Sequence, residues 1–295
     1  MQYATVFDRL QPWLLKTLSL KKLLCERKNL LLLGANSPIE ILFMQASGLS
    51  AAYISGAALS TSLGLLDEGK ITLGKMKSLV REIRKVSDMP LLVDCDTGFR
   101  SIAKTVNALE SSGADAIQIE DQTPAEKRCG HLDGKKVVPV DKMTEKIKDA
   151  VSARKNKSFL IAARTDARAT DGLQAAIWRA NCYREAGAGI IFPEALLSEE
   201  EFRIFRRDVP DIPLIANLAE GGKTPSMWAE KLFNIGYSIV LIPATPLRLM
   251  LRYYKLIVKQ ALNAGSLDFY ITNNGILSRE FLIEFIKNNS KVYKS

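Results

Sequence analysis

Ala116-Ile117-Gln118-Ile119-Glu120-Asp121 is a short, mainly apolar run that ends on two carboxylates, and Gln122-Thr123-Pro124-Ala125-Glu126-Lys127-Arg128-Cys129-Gly130-His131 follows it. The first part reads as a buried strand that delivers acids to its C-terminal end. The second part reads as a basic, glycine-containing loop. His131 is the only histidine in 295 residues, and it stands two positions from Cys129. Lys127 and Arg128 directly precede that cysteine, and nearby positive charge favours a thiolate. Cys129 is therefore a candidate acid/base or nucleophile, with Lys127 and His131 as its partners. Taken alone, such a cysteine is more often an inert small hydrophobe, so the rest of the chain has to decide.

The same grammar recurs along the chain. Apolar runs occur at Leu30–Gly34, Ala51–Gly56, Pro90–Asp94, Ala116–Glu120, Phe159–Arg164, Gly189–Glu194, Ile212–Asn217 and Ser238–Pro243. Helical patterns separate them at Pro38–Ala46, Thr72–Val86 (with Thr72 as N-cap), Ser101–Ser112, Asp141–Arg154, Leu173–Ala186, Ser198–Arg207, Pro225–Asn234 and Pro246–Asn263. After the second run a loop through Asp67 is expected, and a last helix over Ser278–Lys287. Continuous apolar strands alternating with helices signal a parallel sheet buried on both faces. Eight such units in about 250 residues match an α/β fold of the (β/α)8 barrel type. A doubly wound sheet is the competing reading, but no G-x-G-x-x-G follows the first run. One barrel domain over 1–295 is expected, with an N-terminal helix and a C-terminal helical extension.

Composition excludes several classes. No apolar run approaches the ~18 residues of a membrane span, so no membrane partner is expected. Cys25, Cys95, Cys129 and Cys182 are scattered without a CxxC pair, against a disulfide scaffold or structural zinc and for a reducing cytoplasm. Charges interrupt the first 29 residues, against a signal peptide. The net charge of +9 is spread out, without a nucleic-acid motif, and suits a small di- or tricarboxylate better than nucleic acid.

In a (β/α)8 barrel the site gathers at the C-terminal strand ends. Those ends carry Ser55, Asp94 and Asp96, Glu120, Arg164, Glu194 and Asn217. If the third strand continues through Asp94 and Asp96, both point to one face. With Glu120 they supply the hard oxygen ligands that Mg²⁺ prefers. Arg164 can hold a substrate carboxylate in a bidentate fork. A metal, an arginine, a thiol and several acids suit an oxyacid that passes through a carbanionic intermediate.

Leu92–Phe99 (LVDCDTGF), Ile119–Gln122, Lys127–His131 (KRCGH), Ala163–Ala167 (ARTDA) and Phe192–Ala195 (FPEA) resemble signatures of the isocitrate lyase/phosphoenolpyruvate mutase superfamily, most closely its 2-methylisocitrate lyase branch. The likeness covers roughly residues 20–285. It implies a barrel whose last helix is exchanged between subunits of a dimer-of-dimers homotetramer. It implies Mg²⁺ at Asp94 and Asp96, with Asp67 and Glu120 holding metal waters. It implies substrate contacts from Ser55, Gly56, Ala57, Cys129, Gly130, Arg164, Glu194, Asn217, Leu218, Ala219 and Arg248, and from Arg279 by a looser match. The implied reaction is cleavage of 2-methylisocitrate, with Cys129 protonating the succinate carbanion. A sister activity would use the same scaffold: 2,3-dimethylmalate lyase, an oxaloacetate-cleaving enzyme or carboxyphosphonoenolpyruvate phosphonomutase. Arg100, Cys95, Ala57-Ala58, Ala219 and Glu220-Gly221-Gly222 depart from the superfamily pattern beside the site and bear on substrate choice. Ala57, Ala219 and Ile242 are the positions expected to discriminate between these activities.

Overall fold

In a computed structural model, the described residues are 18–26, 29–124, 134–268, 271 and 275–293. Eight strands run β1 Leu30–Ala35, β2 Ala52–Ile54, β3 Leu91–Asp94, β4 Ala116–Glu120, β5 Leu160–Thr165, β6 Ile190–Pro193, β7 Ile215–Asn217 and β8 Ile239–Ile242. All named pairings are parallel, in the order β6-β5-β4-β3-β2-β1-β8-β7. A parallel bridge from Ile191 to Leu214 joins β6 to the approach to β7 and closes the ring. The expected (β/α)8 barrel is therefore present. No helix among the described residues is long and apolar enough to cross a membrane.

The helices follow the amphipathic patterns. They are α1 Leu20–Cys25, α2 Pro38–Ala46, α3 Gly56–Ser62, α4 Leu73–Val86, α5 Ile102–Glu110, α6 Val140–Ala153, α7 Ala167–Thr170, α8 Leu173–Glu185, α9 Glu199–Asp208, α10 Ala229–Ile235, α11 Thr245–Ala264 and α12 Arg279–Asn289. Thr72 caps α4 by accepting from the Lys75 amide, and a capping box of Ser37 and Glu40 starts α2.

Two expectations need correction, and one helix was not expected. The loop through Asp67 is present, but the helix α3 precedes it after β2; seven residues without an apolar stripe are too short to hold a helix alone, so the Ser55 cap and tertiary packing decide it. The one-turn α7 was not foreseen. The helix expected from Pro225 starts only at Ala229, after an irregular stretch.

Period-two alternation splits the apolar strand residues between two cores. Leu160 and Ala162 of β5 point inward with Leu32, Leu92, Ile190, Phe192 and Leu241. Ile161 and Ala163 point outward onto the helices with Val93, Ile117, Ile119 and Val240. Leu20 and Leu23 of α1 belong to the inward cluster, together with Leu30 and Ile239 from the N-terminal ends of their strands. That assignment makes α1 a plug for the bottom of the barrel and leaves only the top open. The inward series continues upward into polar residues: Ala116, Gln118, Glu120 on β4 and Leu160, Ala162, Arg164 on β5.

Candidate active site

The register puts Glu120 directly opposite Arg164, and Arg164 opposite Phe192. These residues floor a cavity of about 230 Å³ at the C-terminal strand ends. Ser55, Ala57, Asp67, Asp94, Asp96, Glu120, Arg164, Glu194, Asn217, Ala219 and Arg248 all line it. Expectations drawn from the ends of seven separate strands thus converge on one hollow. It is smaller than the ~300–1,000 Å³ of drug-sized sites and suits a small polyacid.

Arg164 is the electrostatic centre. Its Nη1 lies 3.1 Å from Glu194 Oε2, its Nε 3.4 Å from Glu120 Oε2 and its Nη2 2.9 Å from Asp166 Oδ1. The guanidinium also lies over the Phe192 ring, 5.2 Å from its centroid. Burial alone would lower its pKa, but the Asp166, Glu194 and Glu120 carboxylates raise it well above the ordinary value. Glu194 is fully buried and accepts from Asn217 Nδ2 at 3.1 Å.

Asp94 ends β3, and Asp96 lies beyond it in the left-handed region at φ 49°. The strand ends at Asp94 and does not continue through both residues. A turn brings Asp96 to the same cavity. Such a backbone costs of order 1–3 kcal/mol unless its surroundings over-determine it. Here the Glu120 amide donates to the Asp96 carbonyl at 2.8 Å, the Cys95 amide to the Gln118 carbonyl at 2.9 Å, and the Asp96 amide to Asp94 Oδ1 at 3.2 Å. The Gly56 amide donates to Asp94 Oδ2 at 3.1 Å, and a Cβ on residue 56 would meet that oxygen at 2.9 Å. Gly56 thus packs directly against Asp94 and is not among the residues that line the cavity.

The donor chemistry at this spot fits Mg²⁺. All candidate ligands are carboxylate oxygens. Among the described residues no three His, Cys, Asp or Glu side chains converge closely enough to cage a metal. Mg²⁺ keeps several waters and needs only one or two carboxylates, so Asp94 and Asp96 suffice as direct ligands.

Several residues were missed. Tyr53, Phe192, Leu241 and Pro243 also line the cavity. Tyr53 shares a face with Ser55 at period two, which was a readable signal. Its hydroxyl donates to Gln118 Oε1 at 2.6 Å, and burial, with Asp94 and Glu120 nearby, keeps it a neutral phenol. Leu241 lines the cavity and Ile242 does not, because β8 alternation turns Leu241 inward. Ser55 lines the cavity and also caps α3, accepting from the Ala58 amide. Leu218 packs against the outer core instead of lining the cavity. Arg100 lines a neighbouring hollow of about 600 Å³ that shares Asp96 with the inner one. Arg279 is exposed at the start of α12, a helix that packs through Phe285 on Leu42 and Ala46 of α2, away from this cavity. Lys127, Cys129, Gly130 and His131 lie outside the described residues. The chain on either side of them is anchored: the Thr123 amide donates to the Lys136 carbonyl at 2.8 Å, and Gln122 bridges Val137. Cys95 is fully buried, and burial with the Asp94 and Asp96 charges pushes its thiol well up, so it is inert.

The phosphoenolpyruvate phosphomutase family model matches residues 20–262. A probable 2-methylisocitrate lyase of Corynebacterium glutamicum is 42% identical over 264 residues, covering 88% of this chain and 82% of that one. The 2-methylisocitrate lyase of Aeropyrum pernix is 42% identical over 252 residues, covering 84% and 80%. A crystal structure of 2,3-dimethylmalate lyase, described as a PEP mutase/isocitrate lyase superfamily member, superposes with a TM-score of 0.83 at 29% identity, covering 90% of each chain.

Proposed function

Because the chain belongs to the phosphoenolpyruvate mutase/isocitrate lyase superfamily, within which it is a carbon–carbon lyase, we propose that it cleaves 2-methylisocitrate to pyruvate and succinate. The observation that carries this reading is the meeting of Asp94, Asp96, Glu120, Arg164, Glu194 and Asn217 in one cavity. Asp94 and Asp96 would hold Mg²⁺, with Asp67 and Glu120 acting through its waters. Bound there, the ion supplies Lewis-acid polarisation of the hydroxy-acid oxygens destined for pyruvate. Arg164 binds a substrate carboxylate, and Glu194 and Asn217 hold that guanidinium and the neighbouring oxygens in register. A base takes the hydroxyl proton, and the bond between the alcohol carbon and its neighbour breaks. The electron pair moves to the carbon that becomes succinate. Cys129 gives that carbon its proton from the opposite side, with Lys127 and His131 stabilising the thiolate left behind. The chain that leads into the segment carrying Cys129 is anchored beside Arg164, since the Asp121 amide donates to the Arg164 carbonyl at 3.2 Å.

Pyruvate release from 2-methylisocitrate with Mg²⁺ tests this. Cys129→Ser is expected to lower kcat about 10³-fold, or ~4 kcal/mol, and Asp94→Ala to abolish Mg²⁺-dependent turnover. Turnover of 2,3-dimethylmalate in preference to 2-methylisocitrate would keep the mechanism and change the substrate, a second reading favoured by the dimethylmalate lyase likeness. Oxaloacetate and carboxyphosphonoenolpyruvate complete the panel.

We further propose a homotetramer with α11 exchanged between subunits. This 20-residue helix buries only Leu247 in its own chain and exposes Leu251, Tyr253, Tyr254 and Leu262. An apolar face of that length marks an interface. Tyr254→Glu is expected to shift the sedimentation profile from tetramer towards smaller species; an unchanged tetramer would remove α11 from the contact. The scattered cysteines, without a CxxC pair, support a cytoplasmic placement as well.

A further inference from the structure

Lys135 lies just beyond the Cys129 segment, yet its ammonium is almost completely buried. Its side chain is 1% exposed and its Nζ lies 2.6 Å from Asp166 Oδ1. Asp166 is fully buried and grips Arg164 with both oxygens, Oδ1 at 2.9 Å from Nη2 and Oδ2 at 3.0 Å from Nε. The same Asp166 amide donates to Asp121 Oδ1 at 2.9 Å. Asp121 in turn accepts from Thr165 Oγ1 at 2.8 Å and from the Tyr183 hydroxyl at 2.7 Å, and lies 3.3 Å from Arg179. Asp166 thus cannot move away from Arg164 without breaking a packed network.

A buried carboxylate this close to a substrate-binding guanidinium poses a problem. If Arg164 alone neutralised Asp166, little of its charge would remain for an incoming anion. Glu120 and Glu194 already draw on it. A second cation on Asp166 relieves that demand, because buried ion pairs interact strongly and need full compensation. Burial pushes the Asp166 carboxyl up, but the Arg164 and Lys135 charges outweigh it and hold it at about 2.

We propose that Lys135 is a positioning residue for anion binding: by neutralising Asp166 it leaves the Arg164 guanidinium both oriented and electrostatically available to a substrate carboxylate. The proposal deepens the lyase reading and rests on Arg164 as the anion receptor of that site.

The test compares Lys135→Met, Lys135→Arg and the double variant Lys135→Met/Asp166→Asn with wild type, in the full chain with Mg²⁺. The readouts are oxalate affinity by calorimetry, KM and kcat for 2-methylisocitrate, and Tm. Lys135→Met is expected to weaken oxalate binding and raise KM about tenfold, with kcat changed less than threefold. Lys135→Arg is expected to restore both. The double variant removes both charges and is expected to bind oxalate within threefold of wild type. A purely structural lysine would lower Tm in all three and leave oxalate affinity and the KM to kcat split unmoved, which overturns the proposal. Where Lys135→Met does not fold, the double variant decides: affinity tenfold below wild type overturns it. Failure of wild type to bind oxalate also overturns it. Oxalate binding without cleavage of 2-methylisocitrate removes the substrate reading alone and leaves the Lys135 comparison to be read from affinity.

Discussion

Arg164→Met is expected to abolish turnover and to destabilise the fold together. The substitution leaves Glu120, Glu194 and Asp166 buried around a thioether, at positions where the guanidinium now lies 3.4, 3.1 and 2.9 Å away. Breaking a buried pair from one side costs about 3–5 kcal/mol, because the remaining charge is uncompensated. The loss has a pH dependence that follows from Asp166. In wild type the Arg164 and Lys135 charges outweigh burial and hold that carboxyl at about 2, so its ionisation stabilises the fold above the unfolded value of about 4 and that stabilisation is lost as pH falls towards 2. Without Arg164 part of it is gone, so the deficit against wild type is full at neutral pH and shrinks below about pH 4. Urea midpoints at about pH 3 and pH 7.5 check this: the deficit should be larger at pH 7.5. The expected fall in kcat/KM is at least 10³-fold, or ~4 kcal/mol. A stable variant with near-normal KM would remove Arg164 from substrate binding.

Gly34→Ala is expected to be the most damaging single methyl in the barrel. A Cβ on residue 34 would lie 1.8 Å from the Pro243 carbonyl oxygen and 2.6 Å from its carbon. Both are backbone atoms, so no side-chain rotation relieves the clash. β1 must separate from the end of β8, where Leu33 is level with Ile242. Overpacking of well-packed interiors typically costs 1–3 kcal/mol, and a rigid backbone contact belongs at about 3 kcal/mol or more. Pro243 also walls the cavity, so kcat/KM should fall with stability. The denaturation midpoint at unchanged m-value is the measurement. A loss below about 0.5 kcal/mol would show that the two backbones can part freely.

Most of the barrel was legible because its strands are buried on both faces and its helices on one. Continuous apolar runs and 3.6-residue periodicity encode those two situations directly. α4 and α11 were readable from their patterns to within a residue or two. α3 was not, because its small residues owe their helix to the Ser55 cap and to packing at the barrel mouth. The site was legible by type: Glu120, Arg164 and Glu194 are polar residues that close apolar runs, which is costly unless they are used. Phe192 was hidden because an aromatic within a strand looks like core until the pleat assigns it a level, whereas Tyr53 could have been read from its period-two relation to Ser55.

The sequence by itself determined the alternation of eight strands with helices and the cluster of acids with one arginine at the strand ends. Local periodicity and the cost of burying polar groups are written residue by residue, and need no knowledge of distant contacts. Only the tertiary structure decided that Asp96 turns back on a left-handed backbone to join Asp94, that Glu120 stands level with Arg164, and that Lys135 reaches Asp166 across 31 positions. Those relations depend on the register between neighbouring strands and on loop paths over the barrel rim. Such long-range geometry is set by the packing of the whole ring, which no single segment encodes.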